Sequence, residues 1–144
     1  MRKVTFWILA IVTLSSLVVV PAIGAPQRTV AMLTPYMASV TTNQMIKVFE
    51  AGSRAKGWQV ITIDTKGDFG ALASRMEDMI ARKVDAIVLA MADPNQLKDP
   101  IKKANQAKIP VLGGDAGWIP GIACNVTSNN YAMSAMMTTY LFNA

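Results

Sequence analysis

Ala86-Ile-Val-Leu-Ala90 is an apolar run with no polar residue alternating through it, and what lies on either side of it decides the fold. A strand with one face in water alternates polar and apolar residues, whereas an unbroken run is expected of a strand covered on both faces. Val30-Ala-Met-Leu33 has the same character. Working outward from the central run, Leu97, Ile101 and Ala104 recur at helical spacing on one side, and Leu72, Met76, Met79 and Ile80 on the other. Further back, Met45, Val48, Phe49 and Gly52 fall at i, i+3, i+4 and i+7, which predicts a third one-faced helix. Strands are expected at 29–33, 60–65, 86–90, 111–113 and 122–126. Gly57 is placed to stop the first helix, Asp68 to cap the second, and Pro94 to sit in the first turn of the third. A last helix over 130–143 is expected to carry Met133, Met136, Met137, Tyr140 and Leu141 on one face. Strands alternating with helices in this order predict an α/β fold, a doubly wound parallel sheet of the flavodoxin-like kind.

The length, 144 residues, suits one domain and leaves no room for a complete second one. Residues 1–24 read as an export signal: Arg2 and Lys3, then an apolar stretch to Val20 broken by Pro21, then Ala22 and Gly24 at the positions a signal peptidase reads. Cleavage is expected after Gly24, because one residue later Pro26 would stand first in the mature chain. An uncleaved anchor is the rival, but Val4 to Val20 is at the lower limit of the ~17 to 25 residues that span a bilayer. No cysteine stands near the cleavage point, so no lipoprotein is expected, and the mature protein is placed in the periplasm. With Arg2 and Lys3 set aside, the formal net charge of +5 falls to a mild excess scattered among acids, which argues against a nucleic-acid partner. Histidine is absent and Cys124 is the sole cysteine, which excludes Cys/His zinc sites, Ser-His or Cys-His catalysis within this chain, and an internal disulfide. Cys124 itself reads as a small buried strand residue. No cofactor is expected: the Gly113-Gly114-Asp115-Ala116-Gly117 cluster does not fit a dinucleotide or P-loop pattern. Asp64 and Asp68 read as a strand-end and helix-cap pair rather than a catalytic one.

In a doubly wound sheet, ligands bind outside the carboxyl ends of the strands. The polar residues gather there: Thr34-Pro-Tyr36 and Ser39-Val-Thr-Thr-Asn43 after the first strand, Asp64 to Asp68 after the second, Asp93-Pro-Asn95 after the third, Gly114-Asp115-Ala-Gly-Trp118 after the fourth, Asn125 to Asn130 after the fifth.

Three segments stand together in order: Asp85-Ala-Ile-Val-Leu-Ala90 with Asp93-Pro94, Ala107-Lys-Ile-Pro-Val-Leu-Gly-Gly-Asp115, and Asn125-Val-Thr-Ser-Asn-Asn-Tyr-Ala-Met133. Over roughly residues 28–143 the chain resembles the amino-terminal lobe of the periplasmic sugar-binding proteins of ABC transporters, the ribose-binding type of type I periplasmic binding protein. The resemblance implies two lobes joined by a hinge, and Asp115 as the aspartate that binds sugar hydroxyls. It also makes 25–128 the amino-terminal lobe, Asn125 to Asn130 the first hinge crossing, and 129–144 the first helix of a second lobe that is otherwise missing. The chain departs from the pattern in places. Ribose-type members carry Asn-Pro and paired aromatics after the first strand, where Ser39-Val-Thr-Thr-Asn43 stands here with Tyr36 the lone aromatic; Ala116 replaces an arginine; Met91 stands where many have a polar residue.

Each candidate has a plainer rival reading. Asp115 can bind two hydroxyls through one carboxylate or be a turn residue beside three glycines. Asp93 can touch ligand or cap the helix at Pro94. Tyr36 and Trp118 can stack on a pyranose or be ordinary surface aromatics, and Thr41, Thr42 and Asn43 can help present free helix N–H groups to hydroxyls or serve as caps. The expected function is a binding protein, not an enzyme; the resemblance implies a small sugar or polyol and an inner-membrane ABC permease as partners, with the protein a monomer. Two alternatives are a sensing module of a chemotaxis or two-component pathway and an exported flavodoxin-like hydrolase, the latter disfavoured by the lack of histidine and of a G-x-S-x-G elbow. As a lobe without its partner, the chain is expected to bind weakly and to leave its last helix uncovered.

Overall fold

The computed structural model describes residues 27–143, so the signal segment and its cleavage after Gly24 lie outside the described residues. In chain order the elements are β1 (Thr29–Thr34), α1 (Val40–Ala55), β2 (Gln59–Asp64), α2 (Phe69–Ala81), β3 (Ala86–Ala90), a 3-10 turn (Pro94–Leu97), α3 (Lys98–Gln106), β4 (Val111–Gly114), β5 (Cys124–Val126) and α4 (Asn130–Asn143). The five strands form one sheet in the order β2-β1-β3-β4-β5. Every pairing is parallel, with Val30 opposite Ala86, Ile87 opposite Val111 and Gly113 opposite Asn125.

The unbroken apolar runs are explained by two cores. Ala31, Leu33, Ile87 and Leu89 point into a cluster with Leu72, Met76, Leu97 and Ile101, and so meet α2 and α3. Val30, Met32, Val88 and Ala90 point the other way, with Ile46 of α1 and the half-buried Met45 and Phe49. Successive strand residues thus serve opposite cores, and neither face is free for polar side chains. Local chemistry sets the ends. Asp68 accepts a 2.8 Å bond from the Ala71 N–H at the start of α2, and Gly57, at φ +74°, closes α1 with its N–H on the Arg54 carbonyl.

Two local expectations are corrected. The buried line of α1 is Thr42, Ile46 and Ser53, with Val48 68% exposed. Small hydroxyl residues occupy positions against the sheet that an apolar count assigns to Val48 and Gly52. Cys124 is exposed rather than buried, because β5 is the edge strand and pairs with β4 alone. None of the residues of α4 is buried, and Tyr131 and Phe142, which lie outside the face of Met133, Met136, Met137, Tyr140 and Leu141, are each 86% exposed. The β4–β5 link carries no helix, so on the α1 side an apolar hollow of about 510 Å³ opens between Phe49, Trp58, Val88, Leu112 and Val126.

Candidate functional site

Parallel pairing puts all five carboxyl ends on one edge of the sheet, and the backbone there is shaped in a repeated way. Met91, directly after β3, has φ +54° and donates its N–H to the Gly114 carbonyl at 2.8 Å. Asp115, directly after β4, has φ +52° and donates its N–H to the Val126 carbonyl at 2.7 Å. Each residue adds one last ladder bond to the neighbouring strand and then turns the chain in the left-handed region. Non-glycine residues adopt that region infrequently, and they gather at sites where the surroundings hold them there.

Asp115 is exposed, and its Oδ1 accepts a hydrogen bond from the Thr127 hydroxyl. Its Oδ2 has no hydrogen bond among the described residues. The register accounts for this partner: Gly113 lies opposite Asn125 and Gly114 opposite Val126, so Asp115 meets Thr127. Asn125 is half-buried, its Oδ1 accepting from the Ala116 N–H at 3.3 Å. The side chain fills the space that a Cβ on Gly113 would need. The β4–β5 end is thus a compact polar corner built by Asp115, Thr127 and Asn125.

Beside it, Pro35, Tyr36, Ser39, Thr42, Asp64 and Met91 line an open hollow of about 630 Å³ at the ends of β1, β2 and β3. Tyr36 is 46% exposed and stands edge-on to Phe69, ring centres 6.4 Å apart. Thr42 is fully buried, and its hydroxyl donates to Met91 Sδ at 2.9 Å. Asp64 turns back on the chain, accepting from the Lys66 N–H at 3.0 Å.

The remaining candidates lie apart from these groups. Thr41 is exposed and shares a 2.9 Å hydroxyl contact with Ser39, the residue that precedes α1. Asn43 lines a different hollow, with Met37, Gln44 and Lys47 on the outer side of α1. Asp93 caps the 3-10 turn: Oδ1 accepts from the Asn95 N–H at 2.9 Å and from Asn95 Nδ2 at 3.1 Å. Those bonds, the backbone one foremost, hold its carboxyl below the ordinary 3.8. Trp118 is 65% exposed, with Nε1 donating to the Ile122 carbonyl at 3.1 Å. The sequence reading missed Thr127 as the partner of Asp115; in-register extension of the β4–β5 pair would have found it. No group of three or more His, Cys, Asp or Glu side chains suited to a metal ion occurs among the described residues.

An all-parallel α/β sheet with its polar residues on the carboxyl rim belongs to the doubly wound class, in which ligands bind outside the carboxyl ends of the strands. The periplasmic binding protein domain family matches residues 30–144, and the chain belongs to that family. It is 26% identical over 96 residues to the ribose import binding protein of Bacillus subtilis, a match that covers 66% of this chain and 32% of that protein. Among solved structures, it is similar to an ABC sugar transporter subunit from Rhodobacter sphaeroides, at TM-score 0.70 and 25% identity over 76% of this chain and 38% of the other. A second is an ABC transporter solute binding protein from Agrobacterium vitis with bound allitol, at TM-score 0.67 and 25% identity over 74% and 37%. A third shares the fold at TM-score 0.71 and 20% identity over 78% and 36%: a solute binding protein from Clostridium phytofermentans with bound β-D-glucose. The chain thus spans well under half the length of the proteins it matches, and its sheet is the fold of a type I periplasmic binding protein lobe.

Proposed function

We propose that this chain is the amino-terminal ligand-binding lobe, residues 25–128, of a periplasmic solute-binding protein that captures a sugar or related polyol for an inner-membrane ABC permease. Residues 129–144 then leave the hinge and begin the opposite lobe. The mechanism is closure: a ligand that touches both lobes stabilises the closed form, and only that form presents the surface the permease reads. The protein acts as a monomer in the periplasm, once the signal is removed after Gly24, and without nucleic acid.

The observation that carries this reading is Asp115. It stands in a left-handed turn on the carboxyl rim, with one oxygen held by Thr127 and the other free toward solvent. The Thr127 bond fixes the carboxylate's direction while leaving acceptor capacity for ligand hydroxyls, and bonds to a charged acceptor are roughly twice as strong as neutral ones. Tyr36 offers an exposed ring for an apolar sugar face, and Asn125 supports the corner from behind. Trp118, Thr41, Asn43 and Asp93 lie apart from this centre and are given no ligand contact; Thr42 acts through Met91.

An amide NMR titration reads ligand contact residue by residue. Allitol and D-glucose should shift resonances at Tyr36, Asp115 and Thr127, and Asp115→Ala should weaken binding by about 1.5–3 kcal/mol. Unchanged affinity in Asp115→Ala would return the residue to a turn role; a response to amino acids and to no sugar or polyol would overturn the ligand class.

A further inference from the structure

Met91 occupies a central place on the rim. It follows β3, the middle strand of the sheet, and lies between Tyr36 after β1 and Asp115 after β4. A long unbranched side chain gains nothing from a left-handed backbone, yet Met91 sits at φ +54°. Two contacts hold it there, its N–H on the Gly114 carbonyl and its sulfur under the Thr42 hydroxyl. Thr42 is fully buried and donates its one hydroxyl hydrogen to that sulfur. A thioether is a weak acceptor with no donor, so Met91 has no hydrogen to give a ligand, and Thr42 has spent its only one on the sulfur. The half-buried remainder of Met91 then faces the hollow beside Tyr36 and Pro35 as a soft apolar bed.

Ser39, Asp64 and Lys66 line other parts of the hollow, but a hydroxyl laid directly against Met91 would lose water and gain only a weak sulfur acceptor. A ligand with a methyl or deoxy carbon at that point loses nothing and fills the hollow. We propose that the site selects a sugar or polyol bearing an apolar group, and that Met91 is the residue that selects it. The inference rests on the sugar-binding reading above and names the substrate class within it.

The test uses matched probes, D-glucose with 6-deoxy-D-glucose and D-ribose with 5-deoxy-D-ribose, titrated into protein labelled with 13C at the methionine methyls. Met91→Leu assigns the Met91 methyl signal. In the wild-type protein at least one deoxy sugar should bind roughly tenfold or more tightly than its parent, the scale at which an apolar pocket discriminates by one small group. The Met91 methyl should shift on binding. Met91→Gln should bring the pair within about twofold, and Met91→Leu should keep the preference. Parents binding as tightly as their deoxy partners, or a preference that survives Met91→Gln, would overturn the role of Met91 and leave sugar binding standing. Binding of none of the four overturns the role of Met91, and if allitol also fails to bind, the sugar-binding reading falls with it. If Met91→Gln fails to fold, the wild-type ratios and the methyl shift still decide.

Discussion

Gly113→Ala probes whether the Asp115 corner is assembled as described. Gly113 is buried in β4, directly opposite Asn125 of β5, and its φ is not in the left-handed region, so alanine meets no backbone obstacle. The obstacle is the Asn125 side chain. A Cβ on residue 113 would overlap Asn125 Oδ1, lie 3.0 Å from its Cγ, and crowd the Ala116 Cβ at 3.3 Å. Asparagine is too short to bend aside, so its amide must rotate away and give up the bond from the Ala116 N–H. Overpacking of this sort costs about 1–3 kcal/mol, and the lost bond about 0.5–1.5 kcal/mol. We expect Gly113→Ala to destabilise by about 2–3 kcal/mol and Asn125→Ala by about 1 kcal/mol. The double variant should cost little more than Asn125→Ala, because only the 3.3 Å approach to the Ala116 Cβ remains. That coupling is well above the ~0.3–0.5 kcal/mol scatter of independent sites. Urea denaturation of the wild type and the three variants, followed by far-UV circular dichroism, measures it. Equal costs of Gly113→Ala in both backgrounds would refute the described packing of Asn125.

Other consequences follow from single contacts. Leu72→Ala should cost about 2–5 kcal/mol in chemical denaturation, since Leu72 is fully buried between α2 and the sheet. Asp68→Ala should cost about 1 kcal/mol through loss of the α2 cap, with Asp68→Asn close to wild type. The Asp93 carboxyl is held below 3.8 in the folded chain, so its contribution is present above that value and disappears as pH falls through the lower folded value. Asp93→Asn should therefore flatten part of the fall in melting temperature below about pH 4; an unchanged acid slope would contradict the cap.

The parts of the fold that were readable were those where the chain faces two cores at once. β3 falls on Ala86–Ala90 as its unbroken run predicts, and α2 buries Leu72, Met76 and Met79 as its spacing predicts. β5 is shorter than expected, starting at Cys124, because Ile122 is spent in a turn with its N–H on the Ile119 carbonyl. The phase of α1 was hidden because Thr42 and Ser53 are small enough to bury, and Thr42 finds its partner 49 residues away in Met91. The site was legible as a row of strand ends, since parallel order alone brings Tyr36, Met91 and Asp115 to one edge. Its internal wiring was not, because the Asp115–Thr127 and Thr42–Met91 pairs depend on register and on left-handed backbone that residue types do not announce.

The position of a bound polyol tests the central claim most directly. Crystals of the protein grown with allitol should show it on the carboxyl rim, a hydroxyl within hydrogen-bond distance of Asp115 and carbon against Tyr36 or Met91. Allitol ordered instead in the apolar hollow between Phe49, Trp58 and Val126, with the rim empty, would contradict the account.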